Sequence, residues 1–175
     1  MKLNTRDIVY IGFIAALCAV ATTIRVEIPG GAMVHLGSAA LFTTSILFGG
    51  LYGGLGAAIG SALFDLFGGH TQYIVFSFFI KGIAGFIVGG ITAGYLPPSI
   101  NKPTASFGRI FAALIIGALW TAFGYFLAWW FVLESAVVAA SKIQYSLITS
   151  AAGIVVAIVL TSKLQAVVRR LFTKN

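Results

Sequence analysis

Residues Tyr73 to Gly90 read YIVFSFFIKGIAGFIVGG, apolar but for Ser77 and one lysine, Lys81. Crossing a bilayer takes roughly 20 such residues, so this run is close to a span, yet it carries a cation. A charge at that depth costs at least about 2.5 kcal/mol on the gentlest insertion scale. Lys81 therefore needs a partner or a task.

The remainder of the chain has the same character. Of its 175 residues 59% are hydrophobic and 9% charged. No soluble domain of this size hides so much apolar surface, and lipid is the solvent this composition calls for. Hydropathy predicts six spans: Ile8–Ile24, Gly37–Gly50, Tyr52–Phe67, Tyr73–Leu96, Phe107–Leu133 and Ile143–Val168. The expected fold is an all-α integral membrane protein: residues 1–175 form one compact bundle of six transmembrane helices, with little chain left outside. The start of the chain, with an apolar run and AVA at Ala19–Ala21, imitates a secretory signal. It is expected to be a retained helix. The single Cys18 excludes an internal disulfide.

A net charge of +7 invites a nucleic-acid reading, but its distribution argues against one. Lys2, Arg6, Lys102, Arg109, Lys163, Arg169, Arg170 and Lys174 all fall on one side of a six-span topology, leaving Arg25 and Lys142 opposite. The positive-inside rule then makes both termini cytoplasmic, and the basic tail an anchor against anionic headgroups. Two loops stand out: the outer RVEIPGGAMVHL, Arg25–Leu36, and the inner PPSINKPTAS, Pro97–Ser106. The outer one either folds back over a cavity mouth or simply links two helices.

Small residues recur at three- and four-residue spacing. They are Gly12, Ala15, Ala16 and Ala19 in the first span, Gly49, Gly53, Gly56 and Gly60 around the third, and Gly82, Gly85 and Gly89 in the fourth. In lipid such faces let backbones approach closely. In the third and fourth spans this reads as internal packing. The first span's face serves either its own bundle or a neighbouring chain.

Several chemistries are absent. No G-x-x-x-x-G-K-[ST] is present to hydrolyse ATP. Two histidines and one cysteine have no metal-ligand spacing, and no cofactor is implied. Asp7, Glu27, Asp65 and Glu134 are too few and too scattered for a proton relay, and no serine has a plausible His/Asp pair. An enzyme is not expected. What remains gathers toward the outer face: Asp65 with FGGHTQY after it, Lys81, then Trp120, Tyr125, Trp129, Trp130, Glu134, Lys142, Gln144, Tyr145 and Ser146. Aromatic faces with a few polar atoms suit a pocket for a flat, polar small molecule. The alternatives are an interfacial aromatic belt for Trp129, Trp130 and Tyr145, and solvated loop charges for Glu134 and Lys142. Lys81 either forms a structural ion pair with Asp65 or contacts ligand. Its three donors allow both.

The motifs of Val34–Gly90, VHLGSAALFTTSILFGGLYGGLGAAIGSALFDLFGG followed by FFIKGIAGFIVGG, resemble the S components of energy-coupling factor (ECF) transporters. So do the basic ends and the first-span face GFIAALCA. S components are membrane subunits that bind vitamins or their precursors. The resemblance implies a transmembrane coupling subunit and two cytoplasmic ATPases as partners, in a prokaryotic plasma membrane, with ATP-driven toppling of the subunit as the mechanism. The family's A-x-x-x-A motif maps onto Ala15 and Ala19, which would dock the coupling subunit together with Gly12 and Ala16. Its substrate site, in the outer half, would draw on His35, Lys81, Tyr125, Trp129, Trp130, Gln144 and Tyr145. The sequence is most similar to the hydroxymethylpyrimidine or pyridoxine branch, with a riboflavin-type S component as the alternative. Two rivals stay open: a self-sufficient secondary transporter, and an assembly protein with no ligand.

Overall fold

A computed structural model describes residues 3–28, 32–95 and 105–173. In chain order the elements are α1 (Thr5–Thr23), β1 (Arg25–Ile28), β2 (Ala32–His35), α2 (Gly37–Phe67), α3 (Ile74–Thr92), α4 (Phe107–Leu133) and α5 (Ala136–Thr173), with one 3-10 turn at Thr71–Tyr73. The protein is thus helical except for one short hairpin. Among the described residues five helices are long and apolar enough to cross a membrane.

That number differs from the six separate spans expected, and the cause lies in α2. The anticipated second and third spans meet there without a loop, and the backbone breaks at Gly49 with φ 85° and ψ 175°. Only glycine adopts that region readily. In a continuous helix Ser45 and Gly53 would stand about 12 Å apart along the axis. Instead a Cβ built on Gly53 would fall 2.8 Å from the Cβ of Ser45. The chain doubles back. The first limb, residues 37–48, is only about 18 Å long at 1.5 Å per residue, well short of a hydrocarbon layer about 30 Å thick.

Reversal exposes the first amides of the second limb, which need acceptors away from water. The chain beyond α3 supplies them: Gly50 N donates to Gly94 O at 2.9 Å, and Leu51 N to Tyr95 O at 3.0 Å. At the same end α1 begins with a capping box, Asn4 and Asp7 exchanging backbone-to-side-chain hydrogen bonds of 2.9 Å. The Tyr52 hydroxyl donates to Asp7 at 2.6 Å. From this near end α1 runs to the far end. The limbs of α2, then α3, α4 and α5, alternate in direction, so both ends of the described chain lie at the near end.

Small residues set the helix spacing. A Cβ on Gly85 would come within 2.9 Å of Gly53 backbone, and one on Gly82 would lie 3.0 Å from the Cβ of Ala58. Gly89 meets the backbone of Gly49 and Gly50, so α2 and α3 touch main chain to main chain. Gly117 receives Val88, Gly124 receives Ile80, and Gly153 receives Ser38, which draws α4 onto α3 and α5 onto α2. Ile14, Leu41, Phe42, Val88 and Leu114 fill the centre. Phe13, Val20, Phe79, Leu119, Phe131 and Val155 are exposed around the outside, an apolar belt suited to lipid.

Between α1 and α2, β1 and β2 pair antiparallel, Arg25 opposite His35 and Glu27 opposite Met33. The proline and two glycines of the expected turn lie outside the described residues, as does most of Pro97–Ser106. The hairpin is fastened at both ends: Leu36 N donates to Ile24 O at 3.1 Å, and the Thr149 hydroxyl donates to Met33 O at 3.4 Å.

Candidate functional site

At the far end the helices part around a cavity enclosing about 790 Å³ of space free of atoms, part of it open to the exterior. Its walls are built from residues three or four apart, which share one face of a helix. Ser61 and Asp65 come from α2, Ser77 and Lys81 from α3, and Thr121, Tyr125 and Trp129 from α4. Ser146 and Thr149 come from α5, while Met33 and His35 bring in the hairpin. The outer loop thus contributes to the cavity wall as well as linking two helices.

Lys81 is 4% exposed. Its ammonium donates to the Ser38 hydroxyl at 3.1 Å and lies 5.4 Å from the centre of the Tyr125 ring, within the range of a cation–π contact. Tyr125 is fixed in turn. Its hydroxyl shares a 3.0 Å hydrogen bond with Ser77, and its ring lies against Trp129 at 5.6 Å with a 32° tilt. Trp120, one turn below, donates its indole N–H to Ile80 O at 3.1 Å.

The expected ion pair between Lys81 and Asp65 is absent. An ion pair does form at the hairpin, between Arg25 and Glu27 at 2.8 Å. Lys81 and Asp65 both line the cavity but do not meet, because the lysine's reach is taken up by Ser38 and Tyr125. Asp65 is 7% exposed, and its Oδ2 has no hydrogen-bond partner. Nε2 of His70, on the same wall, is likewise buried and unpartnered.

His35 faces the cavity from β2, and its Nδ1 accepts the Gly37 amide at 3.1 Å. Burial, reinforced by the positive charges of Lys81 and Arg25, holds its pKa down at about 3. The imidazole is therefore neutral, as its acceptor role requires. Phe64 lies between this ring, 6.5 Å away, and the Arg25 guanidinium, 5.0 Å from its own ring centre.

Of the residues expected in a substrate site, Lys81, Tyr125, Trp129 and His35 line this cavity and Trp130, Gln144 and Tyr145 do not. Trp130 is 49% exposed and packs on Phe126. Gln144 is exposed and donates back to Ser141 O of its own helix. Helical geometry explains both, since neighbours in sequence are turned about 100° apart and only one of Trp129 and Trp130 can face inward. The hydroxyl lining of Ser38, Ser77, Thr121, Ser146 and Thr149 was not anticipated as a set, although the four-residue phase of Ser77 with Lys81 and of Thr121 with Trp129 was there to read. The first-span face also divides. Gly12 and Ala16 are exposed and Ala19 half-buried, whereas Ala15 is 2% exposed and turned inward against Gly60.

Fold and cavity together define a multi-span membrane protein with a polar-and-aromatic chamber at one end of its bundle. The family model for ECF-type riboflavin transporter S components matches residues 2–166, so the chain belongs to that family. An S component from a bacterial ECF transporter has the same fold, with a TM-score of 0.60 at 20% identity over 91% of this chain and 95% of the other. ThiT from Listeria monocytogenes superposes with a TM-score of 0.68 at 16% identity, over 97% and 99%. An uncharacterized protein of Pyrococcus woesei is 30% identical over 111 residues, 63% of this chain and 68% of its own. ECF S components are substrate-binding subunits for vitamin uptake that work with membrane and ATPase modules. The family is one of transporter components, not of enzymes.

Proposed function

We propose that this protein captures a small aromatic vitamin from outside the cell in its far-end cavity. It passes the vitamin inward with a transmembrane coupling subunit and two cytoplasmic ATPases, in the plasma membrane of a prokaryote. The observation that carries this reading is the cavity itself: an enclosed cation beside two aromatic faces, ringed by hydroxyls, at the end remote from both termini.

Riboflavin is the first candidate substrate, on the strength of the family match. The pyridoxine or hydroxymethylpyrimidine reading suggested by the sequence has no support from that match and takes second place. The near end, with Arg6 and Arg109 beside it, is assigned to the cytoplasm by the positive-inside rule. In that reading the two limbs of α2 count as two of six passes. For the coupling subunit the exposed Gly12–Ala16 strip offers a close approach, with Ala19 at its edge and Ala15 packing the strip against α2.

Titration of ligand-free purified protein with riboflavin, followed by quenching of the flavin's fluorescence, tests the substrate. Saturable one-to-one binding is expected, with pyridoxine and hydroxymethylpyrimidine unable to compete. Binding of either competitor with no response to riboflavin would overturn the assignment. Orientation is tested separately by cysteines introduced at Glu134 and Ser106. An impermeant thiol reagent on intact cells should reach only the first.

A further inference from the structure

We propose that Asp65 and His70 form a recognition pair for a donor–acceptor edge of the ligand, such as the N–H and adjoining carbonyl of an imide. This deepens the riboflavin reading and rests on it. Asp65 comes from the last turn of α2, and His70 follows across a tight turn in which Gly69 takes φ 77°. The His70 amide donates to the Asp65 carbonyl at 2.8 Å, so the two residues are held as a unit. The His70 ring also stacks near Phe64 at 6.1 Å.

Neither polar tip is used by the protein. Asp65 Oδ2 and His70 Nε2 are both buried without a hydrogen bond, on the wall of a cavity in which Ser77, Tyr125, Lys81 and His35 are engaged with protein partners. A buried polar atom left unpaired costs about 1–3 kcal/mol, and more when charged. The cation on the same cavity wall, Lys81, is committed to Ser38 and Tyr125. A ligand satisfies both tips if it brings an N–H to the carboxylate and, next to it, an acceptor for the imidazole in its Nε2–H tautomer. Hydrogen bonds of the first kind are charge-assisted and roughly twice as strong as neutral ones. A site built to pair with a donor also discriminates strongly against analogues that lack it.

Riboflavin carries such an imide, and a riboflavin analogue methylated at the imide nitrogen removes the donor alone. Three measurements on the full-length protein decide the matter: affinity of wild type and Asp65→Asn for riboflavin, affinity of both for the methylated analogue, and melting of both without ligand. Asp65→Asn should bind riboflavin at least about tenfold more weakly, while the analogue binds the two proteins alike. The empty variant should melt no lower than wild type, since an amide replaces a carboxylate whose Oδ2 is buried without a hydrogen bond. Unchanged riboflavin affinity in the variant refutes the proposal, as does a lower melting point of the empty variant, which would make Asp65 structural. If wild type fails to bind riboflavin, the substrate reading falls. The melting comparison then decides the role of Asp65 by itself.

Discussion

Replacing Lys81 with methionine separates two accounts of the buried cation. The substitution keeps length and removes charge. From the geometry it deletes the hydrogen bond to Ser38, worth about 1.5–3 kcal/mol for a charged donor, and the contact with Tyr125, about 2 kcal/mol when desolvated. It also removes the cost of holding an ammonium out of water, several kcal/mol for a buried ion. Gains and losses are of similar size, so stability should shift by no more than about 2 kcal/mol. For a protein of this length that is under about 8 °C in Tm. A true Asp65–Lys81 pair would behave otherwise: removing one partner strands the other and costs about 3–5 kcal/mol, and Asp65→Asn would restore most of it. Binding should respond more strongly. Ser38 occupies one of the three donors of Lys81, and a charged hydrogen bond lost from the ligand weakens binding about ten- to 150-fold. Thermal melting and flavin titration on Lys81→Met, alone and combined with Asp65→Asn, provide the readout. A large destabilisation rescued by the second change would refute the unpaired geometry. Unchanged affinity would confine Lys81 to packing.

Three further outcomes are expected. Gly49→Ala should destabilise by about 1–3 kcal/mol, because the backbone there lies in a region essentially reserved for glycine; Gly12→Ala, whose Cβ meets nothing within 4 Å, is the control for melting. Since the folded-state pKa of His35, about 3, lies below the ordinary value near 6.5, its contribution to stability is complete above pH 6.5 and declines as pH falls toward 3. Melting temperature should therefore drop on acidification from pH 7 to pH 5, with a shallower slope in His35→Gln. Ala16→Trp should abolish transport yet leave ligand binding by the isolated subunit intact, whereas Ala15→Leu, forced against Gly60, should lower the melting point.

Much of this molecule could be read from its residues. The apolar runs located the five long helices of the described residues, and Lys81 is an isolated cation in an eighteen-residue apolar stretch that lines the cavity. What failed did so for geometric reasons. Hydropathy averages over a window and is blind to direction, so Trp129 and Trp130 looked equivalent, as did Gln144 and Ser146, although helical rotation turns one of each pair away. The Asp65–Lys81 pair rested on complementary charge alone. Nothing in composition reveals that a serine 43 positions earlier takes the ammonium's hydrogen bond. The reversal within α2 was legible as the break between the expected spans Gly37–Gly50 and Tyr52–Phe67, beside the turn at Gly49; what the sequence did not show is that the two limbs meet with no loop between them.

The contact of α2 with α3 through bare backbone has a bearing on how such a binding protein can diversify. Interfaces filled by side chains can be retuned gradually, one methyl at a time. A seam in which Gly85 and Gly89 already meet the main chain of Gly53, Gly49 and Gly50 has no such increments: a carbon added to either pushes the helices apart. Asp65 and Lys81 stand on the two sides of this seam, so the spacing between the acidic and basic poles of the cavity behaves as a fixed gauge. Changes in ligand preference must then be drawn from the opposite wall, where Thr121, Trp129 and Thr149 reach the space through exchangeable side chains. One half of the chamber is a ruler and the other half is the adjustable jaw.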